Sequence, residues 1–162
     1  MASLATETFT EKALWFLDSL VEIRSSKANG EPVSALEVTV PPGDTAPLHA
    51  QDEDERIYVL EGSATFYVGD ETIHARPGDK VFIPRGKLHA HRATGSGARW
   101  IVLTESGRFE EFVRDVGRDA PTAVLPPKRG PLAWEEAEEL TRIGLNHGIE
   151  YFGPPGMLPT DL

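Results

Sequence analysis

The sequence GDTAPLHAQDEDERIYVLEG, from Gly43 to Gly62, places an imidazole, an amide and a carboxylate between two glycine turns. His49 and Gln51 are two positions apart, so on an extended segment their side chains leave from the same face. Glu55 follows a short acidic turn and begins an apolar run. Neutral imidazole nitrogen and anionic carboxylate oxygen are complementary ligands for a divalent ion. This stretch therefore predicts part of a metal site.

A second histidine is expected about one hairpin later, in Gly78 to His91, which reads GDKVFIPRGKLHAH. Its glycines and proline predict two turns that flank a short strand at Val81 to Ile83. His89 is then the first polar residue facing inward on the next strand. The predicted set is two histidines and one carboxylate, with coordination positions left open: His49, Glu55 and His89.

At these residues the chain resembles the cupin superfamily. The first cupin motif is glycine, five residues, His-x-His, three or four residues, Glu, six residues and glycine, and four positions match it: Gly43, His49, Glu55 and Gly62. Gln51 stands in the place of the second histidine. Four residues match the second motif, with Ala93 where asparagine is usual: Gly78, Pro84, Gly86 and His89. The resemblance covers residues 33 to 104.

The resemblance implies an all-β fold, a cupin-type double-stranded β-helix (jelly-roll barrel) with C-terminal helices packed on it. We expect a single domain over residues 1–162, with the barrel at about 13–105 and a helical extension at about 106–162. Two flanking segments, LWFLDSLVEI and RFEEFVRDVG, are similar to bacterial single-domain cupins of the quercetin 2,3-dioxygenase type. This similarity implies a metal-dependent oxygenase that acts on a small oxygen-rich aromatic or enolate substrate.

The resemblance also implies one bound divalent ion of undetermined identity (Fe, Ni, Mn, Co, Cu or Zn). The candidate ligands are His49, Gln51, Glu55 and His89, and the candidate catalytic residues are Glu55, Gln51 and His91. Three roles are open for Gln51: a weak ligand, a hydrogen-bond donor to substrate, or a position where water binds instead. His91 shares the inward parity of His89, and is either part of the pocket wall or a group that moves a proton or ligates the ion.

Composition restricts the partners. A formal net charge of −10 disfavours nucleic acid and anionic membranes. With no cysteine, disulfides and thiolate ligands are excluded. The first residues lack a signal-peptide pattern and no run is long enough to span a membrane, so a cytoplasmic protein with a small-molecule substrate is expected. The apolar run Leu14 to Ile23 would leave a strand edge open, which favours a homodimer.

The rest of the chain is predicted to form further strands, then two helices and an irregular tail. Short strands predict the barrel, including one over Ala13 to Arg24 and one over Val33 to Val40. A helix follows around Phe109 to Val116, with Ser106 as N-cap and Gly117 as its stop. A proline-rich segment at 118–131, a second helix from Leu132 to His147 with Arg142 near its end, and an irregular tail complete the prediction.

Other polar and aromatic residues have ordinary interpretations as well as functional ones. His74 and His147 are expected to be structural or on the surface. The run Asp52, Glu53, Asp54 is expected to be a solvated turn. Arg85 is expected to form a salt bridge, with an anionic ligand as the alternative. Tyr58 and Phe66 are expected in the core, because aromatic residues in a barrel are more often core than pocket wall.

Two further functions are open besides the oxygenase: a non-redox isomerase, cyclase or lyase, and a non-catalytic small-molecule-binding protein.

Overall fold

The computed structural model of the chain describes residues 12–162. The loose segment predicted at residues 1–10 lies outside the described residues. Residues 12–162 contain two α-helices, α1 (Arg108–Val116) and α2 (Trp134–Asn146). The strands are β1 (Lys12–Phe16), β2 (Ser19–Ser25), β3 (Ser34–Val40), β4 (Pro47–Gln51), β5 (Glu55–Val68), β6 (Glu71–Ala75), β7 (Lys80–Ile83), β8 (His89–Thr104), β9 (Arg118–Asp119) and β10 (Ile149–Pro155). The fold is all-β with helices added at the C-terminal side.

The strands form the double-stranded β-helix expected from the sequence. Along the main path of the sheet the order is β10-β4-β8-β3-β2-β1-β9, and β5 branches from it by pairing with β6, β7 and β8. The strands pair antiparallel, and the two longest, β5 and β8, run alongside each other from Arg56↔Leu103 to Val68↔His89. Both strands shift register at bulges, which lets them bend around the barrel.

The interior of the barrel is filled by alternate residues of the strands. On β5, Ile57 and Val59 face inward and are almost fully buried, as are Trp100 and Val102 on β8. Each such side chain contributes roughly 1.5–3 kcal/mol through its removal from water. The same inward alternation carries the polar residues of the candidate site to the interior.

One motif glycine, Gly62, is required for a steric reason. Gly62 adopts φ +67, and a Cβ there would overlap the carbonyl oxygen of Gly97 on β8. Gly43, the other motif glycine of the first stretch, has φ +73 but open space around it. Gly62 therefore has to be glycine because of close packing, whereas at Gly43 only the backbone conformation favours glycine.

The N-terminal strand prediction needs a correction. The segment expected as one strand over Ala13 to Arg24 is a hairpin, because Leu17 adopts the left-handed conformation (φ 54) and reverses the chain between β1 and β2. The outer edge of β1 pairs with the two-residue strand β9. Leu14, Val21 and Ile23 are buried within this chain's own core. The edge argument for a dimer is therefore weakened, and the dimer itself stays a prediction.

Helix α1 occurs where the apolar period predicted it and ends at Gly117, as expected. Its N-cap is Gly107 in the left-handed conformation, not Ser106. Ser106 is instead turned toward the barrel, where its hydroxyl donates to Glu53. Phe112 and Val113 on the buried face are fully excluded from solvent. The helix is thus docked against the barrel.

The predicted second helix is present, and only the tail of the C-terminal segment differs in type from the prediction. The second helix, α2, begins at Trp134 and ends at Asn146, and its last turn contains no basic residue; Arg142 pairs with Glu139 instead. The segment at 118–131 contributes β9 to the sheet. The tail expected to be irregular forms β10, which pairs with β4. The edge of β4 supplies unpaired backbone groups, and this pairing outweighs the local signal of Pro154 and Pro155.

Among the described residues, no helix has both the length and the apolar character needed to cross a bilayer.

Candidate metal centre

Four of the predicted residues lie on the strands that meet at one end of the barrel, β4, β5 and β8. His49 on β4 and His89 on β8 are directly opposed in the ladder, and their ring centroids are 4.1 Å apart. Glu55, at the first position of β5, brings Oε2 to 3.1 Å from Nε2 of His89. Gln51 lies at the end of β4, two residues beyond His49, on the same face. The two sequence motifs therefore meet in space.

Hydrogen bonds to the backbone orient both imidazoles. His49 Nδ1 lies 2.6 Å from the carbonyl oxygen of Pro47, and His89 Nδ1 lies 2.9 Å from that of Lys87. A carbonyl oxygen can only accept a hydrogen bond, so Nδ1 must carry the proton in each ring. In a neutral imidazole the other nitrogen, Nε2, then presents its lone pair. A backbone partner at one ring nitrogen is the usual arrangement for a histidine that ligates through the other.

The contact between Glu55 and His89 brings two acceptors together. With Nδ1 protonated, neutral His89 has only a lone pair at Nε2, and a carboxylate has only lone pairs. A proton or a cation must therefore lie between or beside these atoms. The 3.1 Å between Nε2 and Oε2 is short enough for both atoms to ligate one ion, because such ligands lie about 2 Å from it.

Burial keeps His49 in the form that can bind a cation. Removal from solvent lowers its pKa well below the ordinary value, and the neighbouring His89 and His91 lower it further, while the hydrogen bond to Pro47 acts in the opposite direction. A neutral imidazole is the ligating form. His49 is therefore uncharged at neutral pH and its Nε2 lone pair is available.

Gln51 is buried, and its Oε1 has no hydrogen-bond partner. An unpaired buried polar atom costs roughly 1–3 kcal/mol, so it is expected where a ligand or an ion supplies the missing partner. No three histidine or acidic side chains within residues 12–162 form a complete metal cluster by themselves. For an ion held here, the amide of Gln51 would be the additional oxygen donor. The donor set of two nitrogens, a carboxylate and an amide oxygen fits a divalent ion.

His91 lies on the inward face, as predicted, but has other contacts. Its Nε2 is 3.2 Å from Asp44 Oδ2, and its ring packs edge-on against Trp100 at 4.9 Å between centroids. Phe66 flanks the same ring at 5.9 Å. His91 therefore forms an aromatic wall with an acidic partner beside the four converging residues.

The acidic run was predicted as a solvated turn, which is correct for the exposed Asp54 but wrong for Glu53. Glu53 is 5% exposed and accepts three hydrogen bonds, from Ser106 Oγ (2.6 Å), the Arg108 amide (3.2 Å) and the Phe109 amide (2.8 Å). Burial raises its pKa, and proximity to Glu55 adds to this rise, while the three hydrogen bonds oppose it. The sequence carries no local signal for this role, because the partner of Glu53 is the N-terminus of a helix that lies far along the chain.

The other two acidic residues of the run contact the second motif. Arg85 donates from Nε to Asp52 Oδ1 at 2.6 Å, and its backbone amide donates to Asp54 Oδ1 at 2.7 Å. The Gly86 amide also donates to the Gln51 carbonyl at 2.8 Å. The salt-bridge interpretation of Arg85 is confirmed. These bonds fix the turn before His89 to the loop that joins Gln51 and Glu55.

Tyr151 is a site residue that the sequence reasoning missed. It lies opposite His49 in the β10–β4 ladder, with ring centroids 5.8 Å apart, and it also faces Phe112 of α1. Burial raises the pKa of its phenol, so the hydroxyl is protonated at neutral pH. The alternation of Ile149 and Tyr151 was a weak strand signal, hidden by the prolines that follow.

The remaining expectations concern residues outside the centre. His74 is exposed and contacts Thr65, and His147 at the end of α2 contacts Asp115. Both fit the structural interpretation. Phe66 belongs to the buried core, as expected. Tyr58 lies on the opposite face of β5, where Lys80 covers its ring.

Comparison with known proteins identifies the fold family. Residues 36–104 match the family model for the cupin domain. The chain belongs to the cupin superfamily. In this cupin the match contains all four candidate ligands.

Two curated relatives are from Bacillus subtilis. Quercetin 2,3-dioxygenase is 30% identical over 87 residues, which cover 53% of this chain and 26% of that protein. An uncharacterized HTH-type transcriptional regulator is 39% identical over 64 residues, which cover 39% of this chain and 22% of the regulator. The cupin chain thus spans about a quarter of the length of each.

A solved structure extends the comparison beyond the matched domain. The polyketide cyclase RemF from Streptomyces resistomycificus superposes with a TM-score of 0.52 at 23% identity, covering 88% of this chain and 92% of RemF. At this identity the likeness shows the fold alone.

Proposed function

We propose that this cupin is a metal-dependent oxygenase of the quercetin 2,3-dioxygenase type, acting on a small oxygen-rich aromatic or enolate substrate. The observation that carries the proposal is that His89 contacts both His49 and Glu55, and that Nδ1 of each imidazole is bonded to the backbone, which leaves the lone pair on Nε2. The similarity to quercetin 2,3-dioxygenase over 87 residues supports the choice of reaction.

The residues that would hold the ion are His49, Gln51, Glu55 and His89. When bound, the ion would supply a Lewis acid that lowers the pKa of a substrate hydroxyl and brings the substrate and dioxygen together. One carboxylate can both ligate and act as a base, because it has two oxygen atoms. Glu55 accepts the hydroxyl proton of the substrate, which leaves an oxyanion whose ring carbon is electron-rich enough to react with dioxygen.

The surrounding residues of the chain bind and orient the substrate. The ring of His91 would provide a flat wall for the substrate, and the buried rings of Trp100 and Phe66 hold that ring in place. Tyr151, protonated because burial raises the pKa of its phenol, is a potential donor to a substrate oxygen from the side of His49. A net charge of −10 favours a small molecule over nucleic acid or an anionic membrane as the partner.

The test is oxygen consumption by metal-loaded protein when a flavonol is added. We expect uptake of dioxygen, with both oxygen atoms found in the product by mass spectrometry after ¹⁸O₂ labelling. Glu55→Gln should abolish the uptake because it removes the base, while His74→Ala should not change it. A product that forms equally well without oxygen would contradict the oxygenase.

A second candidate is a non-redox isomerase, cyclase or lyase that uses the same centre. Gln51 favours it, because an amide carries no charge and donates less electron density than imidazole, which suits a Lewis acid more than oxygen chemistry. In that reaction Gln51 and His91 would bind and move protons on the substrate. Product formation under anaerobic conditions distinguishes this candidate.

A third candidate is a non-catalytic small-molecule-binding protein. The 39% identity to part of a transcriptional regulator favours it. Ligand binding without any product, with or without oxygen, would support this candidate over both enzymes.

A further inference from the structure

Glu53 connects the candidate metal centre to helix α1 through a contact that neither the motifs nor the proposed reaction uses. It lies in the three-residue loop between Gln51 and Glu55, which we call the ligand loop (residues 52–54). Its carboxylate is directed away from the centre, toward the first turn of α1. Gln51 and Glu55 are each only two residues away, so a shift of Glu53 moves both candidate ligands.

Helix α1 needs this carboxylate. The first amide groups of any helix lack partners within the helix, and a side chain at the N-cap normally accepts from them. The N-cap here is Gly107, which has no side chain to do so. Glu53 accepts from the amides of Arg108 and Phe109 instead, at 3.2 and 2.8 Å, and its negative charge suits the helix N-terminus. Ser106 completes the arrangement by donating to Oε1 at 2.6 Å.

The other side of the ligand loop is also fixed. The Asp52 amide donates to the Gly148 carbonyl at 2.8 Å, just before β10, and the loop carboxylates bind Arg85. The loop therefore lies between the second motif and the helices. With Asp52 and Asp54 fixed by Arg85, the remaining orientation of the loop depends on Glu53.

We propose that Glu53 is a positioning residue that couples the metal-ligand loop to helix α1, so that ion binding and docking of the N-terminal turn of α1 stabilise each other. Coupling of this kind is reciprocal: if docking of α1 tightens the ion, the ion protects α1 to the same degree. This inference rests on the proposed metal centre but not on the reaction.

A matched control is available on the same helix. Glu110 is also a buried carboxylate of α1, and it accepts from Ser26 Oγ at 2.6 Å and from the Lys27 amide at 3.0 Å. Burial acts to raise its pKa, but these bonds and one from Arg114 outweigh that effect, so its pKa is lowered. Glu110 anchors α1 to the loop after β2 and, in the contacts described, makes no bond to the ligand loop. Its loss destabilises the helix without moving Gln51 or Glu55 directly.

The experiment is a Co²⁺ titration of the full chain in competition with a chelator, monitored by the visible absorption of the bound ion. Glu53→Gln should weaken Co²⁺ binding about tenfold, in the range seen when a residue supporting the ligands is changed, and should alter the visible band. Glu110→Gln should lower the melting temperature but leave the Co²⁺ affinity and the band as in the wild type. Ser106→Ala, which removes one donor to Glu53 and no charge, should weaken binding in the same direction by a smaller factor.

A second readout tests the reciprocal effect. In the wild type, Co²⁺ should slow hydrogen exchange at the amides of Arg108 and Phe109, and in Glu53→Gln this added protection should disappear. If Glu53→Gln does not fold, Ser106→Ala carries both measurements. If the Co²⁺ affinity is unchanged in Glu53→Gln and Ser106→Ala, or if Glu110→Gln loses as much Co²⁺ affinity as Glu53→Gln, the coupling is wrong although the metal centre stands. A wild type that binds no Co²⁺ would contradict the metal centre itself, and the coupling with it.

Discussion

Gln51 is the residue at which this chain departs most from the cupin motif, and its place in the structure makes the departure testable. Its amide is buried, and Oε1 has no partner. An amide oxygen is a weaker ligand than imidazole nitrogen for most transition metals. Glutamine in place of the motif histidine thus lowers the expected affinity for a divalent ion, while its Oε1 keeps a donor at position 51.

We expect Gln51→His to tighten metal binding by about tenfold, as an improved ligand shell does. A competitive chelator titration of the wild type and the variant measures this directly. His91→Ala is the accompanying variant, and because His91 contacts Asp44 and Trp100, we expect its affinity to remain that of the wild type. Unchanged affinity in Gln51→His would mean that residue 51 does not contact the ion.

The positions of the candidate ligands could be predicted from sequence because their spacing follows the period of a strand. His49 and Gln51 are two apart on β4, and His89 begins β8, so each faces inward by simple alternation. Glu53 and Tyr151 could not be predicted in this way. The role of each depends on a partner distant in sequence, the N-terminus of α1 for Glu53 and the edge of β4 for Tyr151.

Among the elements, the long strand β5 depends on a single glycine. Gly62 adopts a left-handed conformation against the backbone of β8, where a Cβ would overlap Gly97. We expect Gly62→Ala to destabilise the fold by at least about 3 kcal/mol, because strain and overlap add. Gly43→Ala is the matched control, with a similar φ and open space around it, and should cost about 1–2 kcal/mol.

Chemical denaturation of both glycine variants measures the difference. Equal losses of unfolding free energy would show that the barrel adjusts at Gly62 and that the close approach to Gly97 is not required.

Helix α1 is expected to be a firmly docked element. Phe112 and Val113 are fully buried, and Phe16 of β1 packs edge-on against Phe112 at 5.6 Å. A helix of this length has little stability without such contacts. Hydrogen exchange at the Phe112 and Val113 amides should therefore be as slow as in the barrel strands.

A matched pair of substitutions tests the same docking. Phe112→Ala should cost about 3–5 kcal/mol, whereas Phe82→Ala, at a side chain that is 50% exposed on β7, should cost much less. Fast exchange at α1 with a protected barrel, or equal costs for both substitutions, would indicate an undocked helix.

The elements predicted least well are those whose pairing is set by the whole barrel. The apolar content of Ala13 to Arg24 correctly predicted strand, but the reversal at Leu17 is a left-handed residue with no glycine or proline to mark it. The same applies to β10, whose prolines favour an irregular tail. In both segments, hydrogen bonding to a neighbouring strand outweighs the local preference of the chain.

At the scale of the whole molecule, we predict a homodimer. The apolar side chains of β1 and β2 are covered by the chain's own core, yet large apolar side chains are exposed elsewhere, including Trp134 at 72% and Phe152 at 41%. A contiguous exposed apolar patch marks an association site, and we expect the dimer contact to cover these side chains. Light scattering at micromolar concentration should give twice the chain mass of 17.7 kDa. A mass equal to that of one chain would contradict the prediction.

The proposed metal centre is tested most directly by elemental analysis of the wild-type protein and the His89→Ala variant, both purified without added metal. His74→Ala serves as the control, because His74 is exposed and contacts only Thr65 among the hydrogen bonds described. We predict one equivalent of a divalent ion in the wild type and in His74→Ala, and none in His89→Ala, because His89 is the residue that contacts both Glu55 and the ring of His49. A full equivalent of metal retained in His89→Ala would contradict the account.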